Sequence, residues 1–120
     1  MFLLMYLFAF RRDFMEKWAD KVIVAVHYSD SSESNRIIES LKVRDDEGDK
    51  LGIEKTLSRE DVISDINKGI SYVTAYKSKD SEKTYDEGKE VIVYTVKSKD
   101  YIKTERNEKT EDNLDGIEEF

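Results

Sequence analysis

One stretch of the chain, residues 57–69 (LSREDVISDINKG), has the clearest helix signature in the sequence. Ser58 is a favourable N-cap, acids follow it in the first turn, and Gly69 stands where a helix-ending glycine belongs. Three apolar residues share one face at helical spacing: Val62, Ile63 and Ile66. The pattern predicts one amphipathic helix in the middle of the chain.

Runs with the composition of β-strands lie on both sides of this helix. They predict five strands, at residues 22–28, 36–43, 70–77, 90–97 and 100–105. A chain of 120 residues is one domain at most. The predicted fold is therefore α+β, with a small, mostly antiparallel sheet of about five strands and one helix packed on a face.

The chain opens with ten apolar residues, MFLLMYLFAF, followed by Arg11 and Arg12. A helix that spans a bilayer needs about 20 residues, and a secretory signal has its positive charges before the apolar run. Three interpretations stay open: a membrane-surface anchor, an element that packs on the domain or a partner, and a start assigned upstream of the true one. We favour the last, with Met15 as the alternative start, and expect membrane association only if residues 1–12 belong to the native protein.

We accordingly treat residues 1–20 as an N-terminal extension and residues 21–120 as one domain with an acidic C-terminal tail. The net charge of −7 argues against a nucleic-acid polymer as the ligand, because such binding depends on cations that meet phosphates. The absence of cysteine excludes thiol catalysis and Cys-based zinc sites, and it fits a cytoplasmic location.

No constellation of residues predicts catalysis. His27 is the only histidine, and its place on a strand favours a structural role. The acids of residues 45–49 lack the spacing of a calcium loop, and the five glycines are too scattered to cradle a phosphate. We therefore expect no metal, no cofactor and no enzymatic activity.

Binding chemistry remains as the expected function. Tyrosines on the predicted strands can offer ring faces to a flat ligand: Tyr72, Tyr76, Tyr94 and Tyr101. Arg59 lies beside the free amides of the helix start, and Lys103 and Arg106 lie near a strand end, where cations can meet phosphates. The alternative for each residue is ordinary packing or a solvated surface position, which is the commoner role.

The last residues of the chain combine charge with an apolar repeat. Residues 100–120 hold eight acids and three bases, a net charge of −5, which is typical of a mobile end. Leu114, Ile117 and Phe120 nevertheless recur every three residues, and this spacing predicts that the tail docks on the sheet.

Several short motifs in a fixed order resemble the small bacterial and phage proteins grouped as domain of unknown function 3892. The resemblance covers residues 21–120 and leaves out residues 1–20. It is carried by residues 23–26 (IVAV), 36–38 (RII), 58–69 (SREDVISDINKG), 101–104 (YIKT) and 112–114 (DNL).

The chain also resembles phage proteins that counter Thoeris immunity, which are non-enzymatic sponges for a cyclic ADP-ribose-type signal. This resemblance implies a homo-oligomer with a nucleotide-binding pocket that contains aromatic and cationic contacts. The residues it implies are Arg59, Tyr101, Lys103, Thr104, Arg106, Asp112 and Asn113. The chain departs from the pattern at Lys103, where an arginine is commoner, and in residues 78–89, which lengthen the central hairpin.

Two further classes of function stay open beside the ligand-binding module. One is a protein-interaction module that acts through a sheet edge, the acidic tail or the apolar N-terminus. The other is an enzyme, which is the least favoured class because no catalytic group was found.

Overall fold

The computed structural model describes residues 17–29, 36–79 and 81–120, without the side chains of residues 81–83. The apolar opening segment and most of the loop after the first strand lie outside the described residues, so the interpretations of that opening segment stay predictions. The elements are β1 (Lys21–Tyr28), β2 (Ile38–Asp45), β3 (Lys55–Ser58), α1 (Arg59–Asn67), β4 (Tyr72–Ser78), β5 (Ser81–Glu90), β6 (Ile92–Val96), β7 (Lys99–Lys103) and β8 (Glu118–Glu119).

The main sheet has the strand order β3-β2-β1-β4-β5, and the short strand β8 adds to β1. The pairs β1–β2, β2–β3 and β4–β5 are antiparallel. The pair β1–β4 is parallel, as is β1–β8. Strands β6 and β7 form a separate antiparallel hairpin. The prediction of an α+β fold with a mostly antiparallel sheet and one helix is confirmed.

Helix α1 begins and ends as the sequence predicts. The Ser58 hydroxyl accepts a hydrogen bond from the Asp61 amide (3.1 Å), and the Asp61 carboxylate accepts one from the Ser58 amide (3.4 Å), which completes a capping box. Gly69 follows the last turn with a φ of +99°, in the left-handed region that glycine tolerates best. Val62 is fully buried against the sheet.

Apolar side chains of the sheet form two clusters because successive residues of a strand point to opposite faces. The larger cluster lies between the sheet, helix α1, the β6–β7 hairpin and the tail, and it includes Ile23, Leu41, Ile102 and Leu114. The smaller cluster consists of Val22, Val24, Val73 and Ala75, with Trp18, Ala19, Leu51 and Tyr85 packed against them.

Five strands differ from the prediction. The predicted sheet lacked β3, β5 and β8, and it contained the hairpin strands β6 and β7. Residues 78–89 are not only a longer hairpin connection, because most of them belong to the edge strand β5. Polar residues follow one another along β5, so it lacks the apolar alternation by which a strand is recognised.

The tail docks on the fold as its apolar spacing predicts. Leu114 is 2% exposed and Ile117 is 7% exposed, and both belong to the larger apolar cluster. Phe120 is 41% exposed and lies at the surface. The charged residues between them face solvent. The tail thus has the charge of a mobile end, but the buried side chains of Leu114 and Ile117 hold it on the fold.

Candidate functional site

The carboxylate of Asp112 joins three elements beneath the surface, and we call this arrangement the Asp112 anchor. One oxygen accepts hydrogen bonds from the Ile38 amide (2.7 Å) and from Arg59 Nε (2.8 Å). The other accepts from the Ile102 amide (2.8 Å) and from an Arg59 terminal nitrogen (3.2 Å). None of the Asp112 side chain is exposed. The anchor therefore fastens the tail to β2, to β7 and to the start of helix α1.

Arg59 is held within the protein on more than one side. Besides Asp112, its guanidinium donates to the backbone oxygen of Asp100 (2.5 Å), and 12% of its side chain is exposed. Burial disfavours the charged guanidinium, but the hydrogen bonds and charge of Asp112 outweigh that cost, so the pKa of Arg59 lies above its usual value. In this conformation Arg59 serves the buried ion pair instead of facing solvent.

The ammonium of Lys103 is enclosed by oxygens, an arrangement that we call the Lys103 cage. Its Nζ donates to the Asn107 side-chain oxygen (2.6 Å), the Asn107 backbone oxygen (2.9 Å) and the Lys109 backbone oxygen (2.6 Å). These three acceptors use all three donors of an ammonium group. Lys103 is fully buried, and burial lowers its pKa because it disfavours the charged ammonium. The cage fixes the loop that follows β7.

Next to these two buried groups lies a polar surface pocket of ≈ 130 Å³. Its lining residues come from the loop after β7 and from the tail: Thr104, Glu105, Asn107, Asn113 and Asp115. Backbone hydrogen bonds join the two walls, from the Asn113 amide to the Ile102 oxygen (2.9 Å) and from the Thr104 amide to the Asn113 oxygen (3.1 Å). We call this feature the Asn113 pocket.

The Asn113 pocket is rich in acceptor oxygens. The carboxylates of Glu105 and Asp115 lie 3.7 Å and 3.2 Å from the ammonium of Lys89, which offsets part of their charge. The hydrogen bond with Asp115 raises the pKa of Lys89. Two carboxylates and one ammonium leave a net negative charge at this surface, which favours ligand groups that donate hydrogen bonds.

The structure separates the predicted site residues into three groups. Thr104 and Asn113 line the pocket. Arg59, Lys103 and Asp112 do not line it and bond within the chain. The third group, Tyr101 and Arg106, neither lines the pocket nor belongs to the anchor or the cage. Tyr101 is 5% exposed, and its ring lies 5.6 Å from the Lys103 ammonium. Arg106 is exposed.

The other tyrosines singled out on the strands are engaged through their hydroxyls. Tyr72 donates to Asp65 (2.7 Å), and Tyr76 donates to the backbone oxygen of Asp115 (2.6 Å). Tyr94 donates to the Glu108 carboxylate at the surface (2.9 Å). The Tyr72 and Tyr101 rings are buried, so neither offers a free face to a ligand.

Sequence reasoning missed four residues of the site: Lys89, Glu105, Asn107 and Asp115. Lys89 belongs to residues 78–89, which lengthen the hairpin relative to the family pattern, and it lies at the bulge where the register of β4 and β5 shifts. Asn107 acts only through the loop that folds around Lys103. No motif distinguishes these residues from the many other charged and amide side chains of the chain.

A family model described as a protein of unknown function, DUF3892, matches residues 22–116, which is most of the chain. The chain belongs to the DUF3892 family. The matched range contains both the Asp112 anchor and the Asn113 pocket of this DUF3892 protein. No curated protein and no solved structure matches the chain.

Helix α1, the one helix in the part of the chain that the structure describes, has nine residues. Among those described residues, no helix is long and apolar enough to cross a membrane.

Proposed function

We propose that this DUF3892 protein is a non-enzymatic binding module that holds a small polar ligand in the Asn113 pocket. The observation that supports it is the construction of the pocket. Both walls are fixed by buried polar groups, Asp112 and Lys103, each with a complete set of hydrogen-bond partners. A site held in this way loses little conformational freedom when a ligand binds.

The ligand that suits this lining is one with several hydroxyl donors. Carboxylates such as Glu105 and Asp115 accept hydrogen bonds from vicinal hydroxyls, as an acidic residue does toward a ribose in dinucleotide-binding folds. The side-chain amide of Asn113 can both donate and accept hydrogen bonds. A phosphate is disfavoured in the pocket itself because the lining is acidic. Within the nucleotide-type signals implied by the Thoeris resemblance, we therefore propose that the pocket holds the ribose part.

The size of the pocket also bears on the proposal. Sites for whole small molecules occupy about 300–1,000 Å³, whereas the Asn113 pocket measures ≈ 130 Å³. It fits one sugar-sized part of a nucleotide, so the base and phosphates would contact residues outside it. Arg106, which is exposed near the pocket in the chain, or a second subunit of a homo-oligomer can supply those contacts. We expect this binding to sequester the ligand in the cytoplasm without changing it.

Calorimetry and thermal unfolding test the proposal. A panel of linear and cyclic nucleotides, ADP-ribose and free ribose is titrated into the wild-type protein, Asn113→Ala and the matched control Asn67→Ala. Asn67 is an exposed asparagine at the end of helix α1. A ligand at 100 times its Kd adds about 2.7 kcal/mol to the free energy of unfolding. We expect this gain for wild type and Asn67→Ala, and its loss in Asn113→Ala.

The proposal fails if no member of the panel gives heat or a shift in Tm, or if Asn113→Ala binds as tightly as Asn67→Ala. Heat that persists in Asn113→Ala would locate a site elsewhere on the molecule.

A protein-interaction module is the second candidate. Among the described residues, Ile53 is a large apolar side chain that is 81% exposed, and it lies two residues before the edge strand β3. A partner strand that adds to β3 would cover it. In a pull-down, Ile53→Ser should lose a stoichiometric partner and keep the ligand response of the wild type. Retention of that partner would rule out this role for Ile53.

A further inference from the structure

Two strands share one edge of β1. Strand β2 occupies the other edge along the whole length of β1. On the shared edge, β4 pairs with residues 21–23 of β1, and β8 pairs with Ala25 and Val26. Strand β4 therefore diverges from β1 after a short ladder and leaves a slot. The slot is filled by residues 117–120, which we call the strap.

The strap contacts β2, β4 and the segment just before β2 through its side chains. Glu119 pairs with Arg36 (2.8 Å) and Glu118 pairs with Lys77 (3.5 Å). The Phe120 ring lies 4.5 Å below the ammonium of Lys42. Three cations thus face a strap that carries two carboxylates and one ring, and the chain as a whole is acidic.

His27 lies at the same position. Its Nδ1 is hydrogen-bonded to the backbone oxygen of Phe120, and its Nε2 lies 3.4 Å from Glu39. The His27 and Phe120 rings are 5.7 Å apart. The Phe120 amide donates to the Val26 oxygen (2.8 Å), so the strap is held by backbone and side-chain contacts together.

The strap can leave the slot without disturbing the Asp112 anchor. Gly116 has a φ of +73° and separates the strap from Leu114, which stays in the core. The ion pairs of the strap are exposed, and exposed pairs contribute little to stability. Short elements with few buried contacts open most easily. Ile117 is the one strap residue that must leave the apolar cluster.

We propose that the slot beside β1 is a strand-acceptor site that takes the strap of a second copy of this chain. Two copies then exchange residues 117–120 across a two-fold axis, and every contact of the closed strap is formed again between subunits. The chain from Leu114 to Ile117 reaches about 11 Å when extended, so Leu114 of one subunit lies within that distance of the slot of the other. The exchange gives a specific form to the homo-oligomer of the proposed function, and it does not depend on the pocket ligand.

Crosslinking of full-length variants tests the exchange. The chain has no cysteine, so introduced thiols are the only ones that react. His27→Cys, carrying an affinity tag, is mixed with untagged Phe120→Cys and treated with a short bismaleimide. The matched control replaces the second variant with Asn67→Cys, whose thiol lies on the exposed end of helix α1. The double variant His27→Cys/Phe120→Cys reports the closed strap as an internal crosslink.

A strap on a short linker has an effective concentration in the mM range for its own slot. We therefore expect crosslinked heterodimer to rise steadily as total protein is raised from about 0.01 to about 1 mM. A free peptide of residues 114–120 should suppress it, and a peptide of the same residues in reverse order should not. The proposal is overturned if the His27→Cys and Phe120→Cys pair never exceeds the Asn67→Cys control. That outcome leaves ligand heat in the wild-type protein unaffected, so failure of the exchange and failure of the proposed function are distinguishable.

Discussion

Replacement of Asp112 by alanine should destabilise the fold more than any exposed charge substitution. The change leaves two buried amides, those of Ile38 and Ile102, without acceptors, and each such loss costs about 1–3 kcal/mol. It also leaves Arg59, 12% exposed, without its carboxylate. Removal of one partner of a buried ion pair costs about 3–5 kcal/mol, which we take as the expected loss. Natural domains have free energies of unfolding of about 5–15 kcal/mol. The variant keeps a measurable transition only if the wild-type value exceeds the expected loss.

Urea denaturation measures this loss, followed by the fluorescence of the single tryptophan, Trp18, and by far-UV circular dichroism. The conservative Asp112→Asn variant keeps one acceptor oxygen, so its loss should be roughly 1–3 kcal/mol and its transition should stay measurable. Asp115→Ala is the matched control in the same segment. It breaks only an exposed pair with Lys89, so it should change stability by about 1 kcal/mol or less.

A double-mutant cycle isolates the ion pair. If Arg59→Met and Asp112→Asn act on one interaction, the double variant loses less free energy than the sum of the single losses. A loss in Asp112→Ala no larger than that of Asp115→Ala would refute the buried anchor. So would strictly additive single losses, because they would show that Arg59 and Asp112 stabilise the fold independently.

Three other predictions concern Tyr72, Lys103 and Gly88. Burial and a hydrogen bond to Asp65 raise the pKa of Tyr72 above its usual value near 10. Above about pH 10, Tyr72 therefore ionises in the unfolded chain but not in the folded one. The free energy of unfolding should fall there by up to about 1.4 kcal/mol per pH unit. Urea midpoints from pH 8 to 11 should show a shallower fall in Tyr72→Phe, and equal slopes would contradict the assignment. Lys103→Met removes the donor to the backbone oxygens of Asn107 and Lys109, so it should cost about 1–3 kcal/mol in urea denaturation and weaken ligand heat in calorimetry. Unchanged values for both would argue against the cage. Gly88→Ala puts a Cβ 2.8 Å from the Thr74 backbone oxygen, so it should lower the free energy of unfolding by about 1–3 kcal/mol, and a wild-type Tm would show that the β4–β5 bulge relaxes.

Local chemistry explains which parts of the fold could be predicted. The helix was predictable because its determinants are adjacent in sequence, with Ser58 and Asp61 at one end and Gly69 at the other. Strand β1 was predictable because its β-branched residues are buried on both faces. Strand β5 was not, because its pairing depends on a bulge against β4 and on Gly88, where the backbone of β4 comes close.

The candidate site was predictable only in part. The resemblance in the segments YIKT and DNL implied Thr104 and Asn113 as site residues, and both line one pocket. It could not distinguish residues that face a ligand from residues that hold the site in place. Asp112 and Asn113 are neighbours in sequence, yet one carboxylate is fully buried and the other side chain is exposed. That difference arises from contacts 53 and 74 residues distant in the chain, which no local pattern contains.

Amide chemical-shift mapping tests the central proposal, binding at the Asn113 pocket, most directly. The ¹H–¹⁵N correlation spectrum of the labelled full-length protein is recorded during addition of the panel member with the largest calorimetric heat. If no member gives heat, each is added in turn. The proposed site predicts that saturating shifts concentrate at residues 104–107 and 113–115, with Asn67 unchanged. A spectrum in which those residues do not move, or in which the shifts fall on the edge strands β3 and β5 instead, would contradict it.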